Sequence, residues 1–191
     1  MFYYKEMKLE IPESVYEPAE DSLLMAKELE SADLQGKRVL EVGCGSGLLS
    51  IIAAKKGADV TAVDINPEAV AIAKTNAETS GVRIQAFQSD LFSNVKGQFD
   101  LIIFNPPYMP VEAGETDARY AGGPGGRDTI EKFVNQAMDH LKKDGIILLL
   151  ISSLTGEKEV MELFRENGLK AQVIAREKIP WEELMLLEAR R

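Results

Sequence analysis

The sequence predicts an α/β fold: a mainly parallel, twisted sheet with helices on both faces and an antiparallel hairpin at its carboxyl end. From Lys37 onward, the apolar runs RVLEVG, DVTAVDI, FDLIIF and GIILLLIS alternate with segments of helical length. Such continuous apolar runs are typical of parallel strands that are covered on both faces. The final stretch, KAQVIAREKIPWEELMLLEAR, holds two strands with no room for a helix between them, which favours an antiparallel pair.

The segments between the strands carry helix signals. The clearest start is at Asn66, which can cap a helix, with Pro67 at the first helical position and Glu68 at the positive helix end. GLLSIIAAKKG and RDTIEKFVNQAMDHLKKDG are the other two helical segments of this core. Ahead of the first strand, YEPAEDSLLMAKELE is predicted to be a helix that is entered through Pro18 and has two acidic residues in its first turn.

Length and composition predict one globular domain. The 191 residues, 45% hydrophobic and 28% charged, suffice for a sizeable core but are few for two domains. No apolar run approaches the roughly 18 residues that span a bilayer. Charged residues also interrupt the amino terminus where a secretory signal needs an apolar stretch. We therefore expect a soluble, cytoplasmic protein.

Charge and metal-ligand content argue against two classes of function. One cysteine, Cys44, and one histidine, His140, are too few for a cysteine or histidine zinc site, so no protein-bound metal is expected. The formal charge is −9, and basic residues occur only singly or in pairs. Non-specific binding to nucleic acid depends on phosphate neutralisation by lysine and arginine. Nucleic acid is therefore not the expected partner.

A glycine-rich turn follows the first apolar run. VLEVGCGSGLLS places Gly43, Gly45 and Gly47 between a strand and a helix, where glycines let the backbone approach a ligand closely. The dinucleotide fingerprint needs a glycine where this chain has Leu48, and no lysine follows Gly47 as a phosphate-binding loop requires. The turn predicts a nucleotide-like ligand that is not held through a phosphate.

Three acidic residues accompany the turn. Asp64 ends the second strand about twenty residues further on, the distance at which a carboxylate accepts ribose hydroxyls. Asp90 ends the next strand-like segment, where it or a neighbour can meet the amine of adenine, and Glu41 directly precedes the glycines. Taken singly, these are a tight turn and helix caps. Together they repel a pyrophosphate and suit a cation, which matches the sulfonium and amino group of S-adenosylmethionine.

A second turn, in FDLIIFNPPYMP, ends a buried strand on Asn105, Pro106, Pro107 and Tyr108. Carboxyl ends of parallel strands share one edge, so this turn is expected beside the glycines. The Asn105 side-chain oxygen and the Pro106 carbonyl can accept hydrogens of a conjugated amine, which gains positive charge as it attacks a methyl group. The prolines fix the backbone, and Tyr108 can cover a flat amide or base. The alternative is a strand end with Tyr108 packed beneath the loop.

These motifs together resemble a known family. LEVGCGSG, DINPEA, FNPPY and AGGPGGR are similar to the class I, Rossmann-like methyltransferases of the HemK/PrmC-like group, which modify the glutamine of the Gly-Gly-Gln tripeptide in class I translation release factors. VYEPAEDS resembles the short archaeal and eukaryotic branch, which lacks the bacterial amino-terminal domain. The likeness runs from about Val15 to beyond Arg127.

The resemblance implies N5-methylation of a release-factor glutamine with S-adenosylmethionine as cofactor, in one domain over 1–191. Within it, a helical segment over 1–36 covers the cofactor site and 37–191 form the core. A small zinc-binding activator protein is implied as partner. Asn105 and Tyr108 would bind the substrate amide, and the whole turn 105–108 would be catalytic. The implied cofactor-binding residues are Tyr16, Glu20, Ser22 (where threonine is common), Glu41, Gly43, Gly45, Gly47, Asp64, Asp90, Leu91 and Asn105.

Two alternatives stay open. An adenine N6-methyltransferase acting on DNA or RNA would use the NPPY turn equally well, although the acidic charge weighs against it. A non-catalytic scaffold subunit that binds S-adenosylmethionine is a different class, which the intact NPPY turn disfavours. In segment 111–127 no substrate role can be derived, because Arg119, Tyr120 and Arg127 suit either solvent exposure or anchoring of the loop.

Overall fold

A computed structural model describes residues 1–110, 119, 121–123 and 125–191. The strands are β1 (Phe2–Tyr4), β2 (Met7–Leu9), β3 (Arg38–Val42), β4 (Asp59–Asp64), β5 (Gln85–Gln88), β6 (Phe99–Phe104), β7 (Leu141–Ser152), β8 (Lys170–Ile179) and β9 (Glu182–Arg190). The helices are α1 (Glu20–Ser31), α2 (Leu48–Lys55), α3 (Pro67–Thr79), α4 (Asp128–His140) and α5 (Glu157–Glu166). The α/β prediction is confirmed.

Seven strands form one sheet in the order β5-β4-β3-β6-β7-β9-β8. The first five of these are parallel, whereas β9 is antiparallel to both β7 and β8, so the predicted carboxyl-terminal hairpin is confirmed. After β3 the chain proceeds through β4 to β5 on one side, and then returns to place β6 on the other side of β3. In open α/β sheets a ligand crevice forms at such a reversal, outside the carboxyl ends of the strands.

The core consists of two apolar layers, one on each face of the sheet. Along β6, Ile102 and Phe104 belong to the layer that contains α4, and the Phe104 and Phe133 rings lie 4.6 Å apart. Leu101 and Ile103 belong to the other layer, with residues of α1 and α2. Alternate residues of a strand point to opposite faces, so an apolar run such as FDLIIF serves both layers. None of the helices in the described ranges combines the length and apolarity that a bilayer span needs.

Two boundaries differ from the sequence prediction. The helical prediction for the amino-terminal segment holds for α1, but residues 2–9 form the short antiparallel hairpin β1–β2, which the sequence reading missed. The helix predicted over RDTIEKFVNQAMDHLKKDG ends early, at His140. Leu141 is extended instead, fully buried and paired with Phe99 of β6. Its burial in the sheet outweighs the helical preference of the following lysines.

Asn76 on α3 joins the amino-terminal segment to the glycine turn. Its side-chain oxygen accepts the backbone N–H of Glu10 at 2.8 Å, and its amide group donates to the carbonyls of Glu10 and Ser46, each at 2.9 Å. The side chain is 1% exposed. Because a buried amide is costly unless its hydrogen bonds are made, Asn76 fixes the spacing of these segments.

Replacing Asn76 with alanine is expected to lower the free energy of unfolding by about 2–3 kcal/mol, since three backbone groups lose their partner. Urea denaturation measures this change. Thr75→Ala is the matched control, because Thr75 is exposed on the same helix, and it should change the value by less than about 0.5 kcal/mol. A loss below about 1 kcal/mol for Asn76→Ala would show that the fold does not depend on this connection.

Candidate active site

A cleft of about 1230 Å³ opens where β3, β4 and β6 end. Pockets for small ligands usually measure about 300–1,000 Å³, so this cleft has room for a cofactor and a substrate side chain together. Most residues that the sequence singled out line it. They are Tyr16, Ser22, Glu41, Gly43, Gly45, Asp64, Asp90, Leu91, Asn105, Pro106, Pro107 and Tyr108.

Two of the predicted cofactor-binding residues do not line the cleft. Glu20 is exposed in the first turn of α1. Gly47 is buried at the start of α2 with a φ of +84°, and a Cβ built there would lie 3.0 Å from the Cβ of Ala73. The glycine is therefore required for the close approach of α2 to α3, which sets the position of the turn indirectly.

Asp64 supports the glycine turn from the end of β4. One carboxylate oxygen accepts the N–H of Gly45 at 2.9 Å, and the other accepts the N–H of Asn66 at the same distance. Each oxygen retains a further acceptor position. Burial raises the pKa of Asp64, while the backbone hydrogen bonds oppose that shift. The carboxylate is thus held in place with capacity for a second set of donors.

Glu41 is the most deeply enclosed acid of the cleft, at 3% exposure. One of its oxygens accepts both the backbone N–H of Ser50, at 2.8 Å, and the Ser50 hydroxyl. Burial raises the pKa of Glu41 to about 8, against hydrogen bonds from Ser50 that lower it. In the free protein at neutral pH the carboxyl group is therefore mostly protonated. A cation placed beside it would favour the ionised form.

The hydrogen bonds around Asn105 settle which way its amide points. Its nitrogen lies 3.1 Å from an Asp21 carboxylate oxygen and 3.3 Å from the Ser22 hydroxyl. A carboxylate can only accept, so the nitrogen must face it and the side-chain oxygen must face away. That oxygen is buried and has no hydrogen-bond partner in the described part of the chain. Asn105 lines the cleft, so its side chain holds an acceptor in a fixed orientation that the described residues leave unused.

Asp21 is the site residue that the sequence reading missed. It lines the cleft at 3% exposure and accepts from the Tyr16 hydroxyl at 2.9 Å as well as from Asn105. Burial, and next the charge of Asp21, raise the pKa of Tyr16, which stays a neutral donor. A signal was present in the sequence: Asp21 shares the buried face of α1 with Leu24 and Met25, at the spacing of neighbours on one helix face.

Tyr108 has two roles in the structure. It lines the cleft, and it also packs, half-buried, against the apolar layer that contains α1 and α2. The packing that was the alternative prediction is thus present together with exposure of one side to the cleft. Burial is the main cause that raises the pKa of Tyr108, and the charges of Asp21 and Glu182 raise it further. The phenol is therefore neutral over the whole physiological range.

The far end of the cleft is formed by the residues after β5. Asp90 is exposed at its rim, and Leu91 lines it with a φ of +46°. This left-handed conformation costs a residue with a branched side chain roughly 1–2 kcal/mol. The turn therefore presents the Leu91 side chain to the cleft at a cost in backbone strain.

Two arginines of the segment 111–127 anchor it. Arg119 donates to the carbonyl of Glu13 at 2.7 Å and lines the cleft, and Arg127 donates to the carbonyl of Thr155 at 2.7 Å. Anchoring, one of the two predicted alternatives, thus applies to both. Tyr120 and residues 111–118 lie outside the described residues. Within the described ranges, no group of three or more acidic, histidine or cysteine side chains is arranged to hold a metal ion.

Comparison with known proteins gives consistent matches. The methyltransferase small domain family matches residues 17–178. A protein of Methanocaldococcus jannaschii, provisionally named a protein N5-glutamine methyltransferase, is 48% identical over 189 residues, which are 96% of this chain and 95% of that protein. Methyltransferase HEMK2 of Mus musculus is 36% identical over 171 residues, 82% of this chain and 80% of its own.

Among solved structures, the chain is similar to the E. cuniculi Mtq2–Trm112 complex, described as responsible for methylation of the eRF1 translation termination factor. The TM-score is 0.77 and the identity 25%, over 93% of this chain and 99% of that one. The predicted Rossmann-like fold of class I methyltransferases is confirmed by this likeness.

The raised pKa of Glu41 predicts how the stability of the free protein depends on pH. Between the ordinary value of 4.5 and about 8, the folded protein holds a proton that the unfolded chain has lost. The free energy of unfolding should therefore fall as pH rises through this window, by up to about 1.4 kcal/mol per pH unit. Urea denaturation at several pH values measures the slope.

Glu41→Gln should reduce this slope, while Glu20→Gln, which removes an exposed carboxylate, should leave it unchanged. Burial also raises the pKa of Asp64, so Asp64 adds to the slope with the same sign in all three proteins. Its contribution therefore cancels when the slopes are compared. Equal slopes for the wild type and Glu41→Gln would contradict the assignment of the protonated group.

Proposed function

The chain belongs to the methyltransferase small domain family, and from that premise we propose that it transfers a methyl group from S-adenosylmethionine to the side-chain amide nitrogen of a protein glutamine. The proposed substrate is the Gly-Gly-Gln glutamine of a class I translation release factor. The observation that carries the proposal is the buried oxygen of Asn105, which has no hydrogen-bond partner within residues 1–110, 119, 121–123 and 125–191. A primary amide supplies the hydrogen-bond donor which that oxygen lacks. The printed names of the relatives support the choice of glutamine, and the eRF1 complex supports a release factor.

The residues of the cleft fit this cofactor. When bound, S-adenosylmethionine supplies an electrophilic methyl group on a positively charged sulfur. We assign Asp64 to the ribose hydroxyls, because both of its oxygens retain an acceptor position. Glu41, with Gly43, is assigned to the cationic amino end, since a cation offsets the burial of that carboxyl group. The remaining assignments are Asp90 with Leu91 to the adenine, and Tyr16 with Ser22 to the closure of the methionine side.

The chain's main contribution to the reaction is orientation. An amide nitrogen is a weak nucleophile because its electron pair is delocalised. It would become positive as its bond to the methyl group forms and the methyl–sulfur bond breaks, and release of one of its hydrogens to solvent as a proton would return it to neutrality. The Asn105 oxygen and the Pro106 carbonyl each accept one of its two hydrogens, which aims the electron pair and stabilises the charge. The carboxylate of Asp21 polarises the Asn105 amide through the hydrogen bond at its nitrogen, which strengthens the acceptor at the other end.

The rest of the turn keeps competing groups away from the nitrogen. Pro106 and Pro107 have no backbone N–H, so neither offers a donor that would compete with the substrate amide for the acceptors of the turn. Tyr108 stays uncharged because burial raises its pKa, and its ring offers a flat apolar surface for the planar amide.

Two broader proposals follow from the same function. We expect the chain to work in the cytoplasm, where translation release factors act, and to bind a small zinc-binding activator protein. The support for a partner is that the similar E. cuniculi structure is a complex of two named proteins, Mtq2 and Trm112. The zinc of that partner comes from the family resemblance alone.

The decisive experiment is mass spectrometry of a release factor incubated with S-adenosylmethionine and this protein, purified with any partner that accompanies it. We expect a gain of one methyl group at the glutamine. Asn105→Ala should reduce turnover by about 10²- to 10³-fold or more, because an acceptor used in the transition state is lost. Affinity for the cofactor should fall only modestly.

Retained activity in Asn105→Ala would refute this mechanism. If cofactor binds while the glutamine stays unmodified, the release-factor assignment fails. The next substrates to test are then adenine-containing oligonucleotides, because adenine also offers a conjugated amine. The formal charge of −9 makes that outcome the less expected one.

Asp21→Asn tests whether orientation of the Asn105 amide limits the rate. The new carboxamide offers hydrogens where the carboxylate offered only acceptors, so Asn105 can turn its oxygen toward residue 21 and its nitrogen toward the substrate. We expect turnover to fall by about tenfold or more. Glu20→Gln removes the neighbouring exposed carboxylate and should stay within about twofold of the wild type. Equal rates for the two variants would exclude the orienting role.

A further inference from the structure

The β8–β9 hairpin ends in a side chain that the fold does not use. Trp181, the only tryptophan of the chain, is 98% exposed at the hairpin tip and has a φ of +74°. Glycine adopts this conformation freely, whereas other residues do so at a cost in free energy. No packing inside the protein offsets that cost, because the indole is almost fully in solvent. A contact outside the chain would offset it.

The tip lies at the same edge of the sheet as the cleft. β9 is antiparallel to β7, with Leu184 opposite Ser152 at the carboxyl end of β7, and Ser153 donates to the carbonyl of Glu183 at 2.8 Å. Since β7 is the neighbour of β6, Asn105 stands two strand spacings from β9. That separation is roughly 10 Å in the hydrogen-bonding direction. Along the strands, Phe104 is level with Leu149 and Leu149 with Leu187. Trp181 therefore lies about five residues, or roughly 16 Å, beyond the level of Asn105, and the two residues are about 19 Å apart.

Two further apolar side chains lie along this edge. Met109 directly follows the NPPY turn and is 39% exposed, and Leu154 follows β7 and is 43% exposed. The two segments are connected through Gly126, since a Cβ built there would meet the Tyr108 carbonyl and the Thr155 methyl group. We call Met109, Leu154 and Trp181 the apolar rim. It runs from the catalytic turn outward to the hairpin tip.

We propose that the apolar rim is the docking surface for the protein that carries the methylated glutamine, with Trp181 as its main anchor. The inference rests on the proposed function, which supplies a protein substrate large enough to reach this far from the cleft. A stable interface buries about 800 Å² on each partner, which corresponds to a circle of roughly 16 Å radius. A footprint of this size is about 32 Å across, so it can contain both Asn105 and Trp181, whereas a glutamine side chain alone ends at the NPPY turn.

The residue types of the rim suit this use. Tryptophan is enriched among the residues that dominate binding energy at interfaces, and methionine adapts its shape to a partner. The expected partner surface is apolar at its centre. The formal charge of −9 favours a basic border around that centre, since opposite charges speed association and select the partner.

The first test compares KM for an intact release factor with KM for a short peptide that contains the glutamine but cannot reach β9. Trp181→Ala should raise KM for the intact protein by about tenfold or more and leave both KM for the peptide and kcat unchanged. Tyr3→Ala is the matched control, because Tyr3 is an aromatic residue with 67% exposure on the separate β1–β2 sheet. It should change neither KM.

Trp181→Gly separates docking from a structural role. Glycine accepts the positive φ without strain, so the melting temperature should rise while KM for the intact protein rises as well. A residue that merely stabilised the hairpin would show a lower melting temperature instead.

A binding measurement makes the inference testable independently of turnover. Incorporation of 5-fluorotryptophan labels Trp181 alone, because the chain has one tryptophan, and its ¹⁹F signal should shift when the release factor is added to Asn105→Ala protein. The inference is overturned by an unchanged signal and KM, or by equal losses on protein and peptide. It is also overturned if the signal shifts with the concentration of this chain alone, which would identify a second copy as the occupant. If the wild type leaves the glutamine unmodified but the signal shifts, the proposed function fails and the docking surface stands.

Discussion

The hydrogen bond from the Asn105 amide nitrogen to the Asp21 carboxylate is the constraint on which the site depends. It leaves the Asn105 oxygen as a buried acceptor that has no partner among the described residues. A fold retains such a group only if surrounding structure over-determines it. Here that structure is Tyr16 and Ser22, which complete the set of polar groups around Asp21 and Asn105. The hydrogen bond that the Asn105 oxygen lacks in the free protein can form when an amide donor enters the cleft, and its free energy then favours binding.

The sheet alone does not build this site. β3, β4 and β6 supply the glycine turn, Asp64 and Asn105, but Tyr16 and Asp21 come from the amino-terminal segment on the other side of the cleft. That segment is fastened by Asn76 to α3 and to the glycine turn, and Arg119 donates to its backbone at Glu13. The cleft is therefore a junction between three parts of the chain, and its shape depends on polar connections outside the apolar core.

Much of the fold could be predicted from the sequence, because continuous apolar runs and helix starts are local signals. Asn66 caps α3 as predicted, with its side chain accepting from Glu68. Leu141 was misassigned to α4 because its pairing with Phe99 depends on a residue 42 positions away. Motif spacing likewise found Asn105 and Asp64, whereas the role of Asp21 requires knowing that α1 turns its buried face toward the cleft. Gly47 shows the converse: it belongs to the motif, but its conformation serves helix packing.

The position of β9 between β7 and β8 has a consequence for how the protein is made. β8 leaves the ribosome first, yet it is joined to the sheet through β9, so it can enter the sheet only together with β9 or after it. Every lining residue of the cleft lies before residue 133, so those parts are complete before β7 is synthesised, and the long edge of β7 then stays open until β9 follows. An unpaired apolar edge of this kind is a template for association with other chains. The last strand, β9, which has nine residues, therefore protects the β7 edge from such association as well as completing the sheet. Chains truncated before β9 would carry the cleft residues but would leave that edge unpaired.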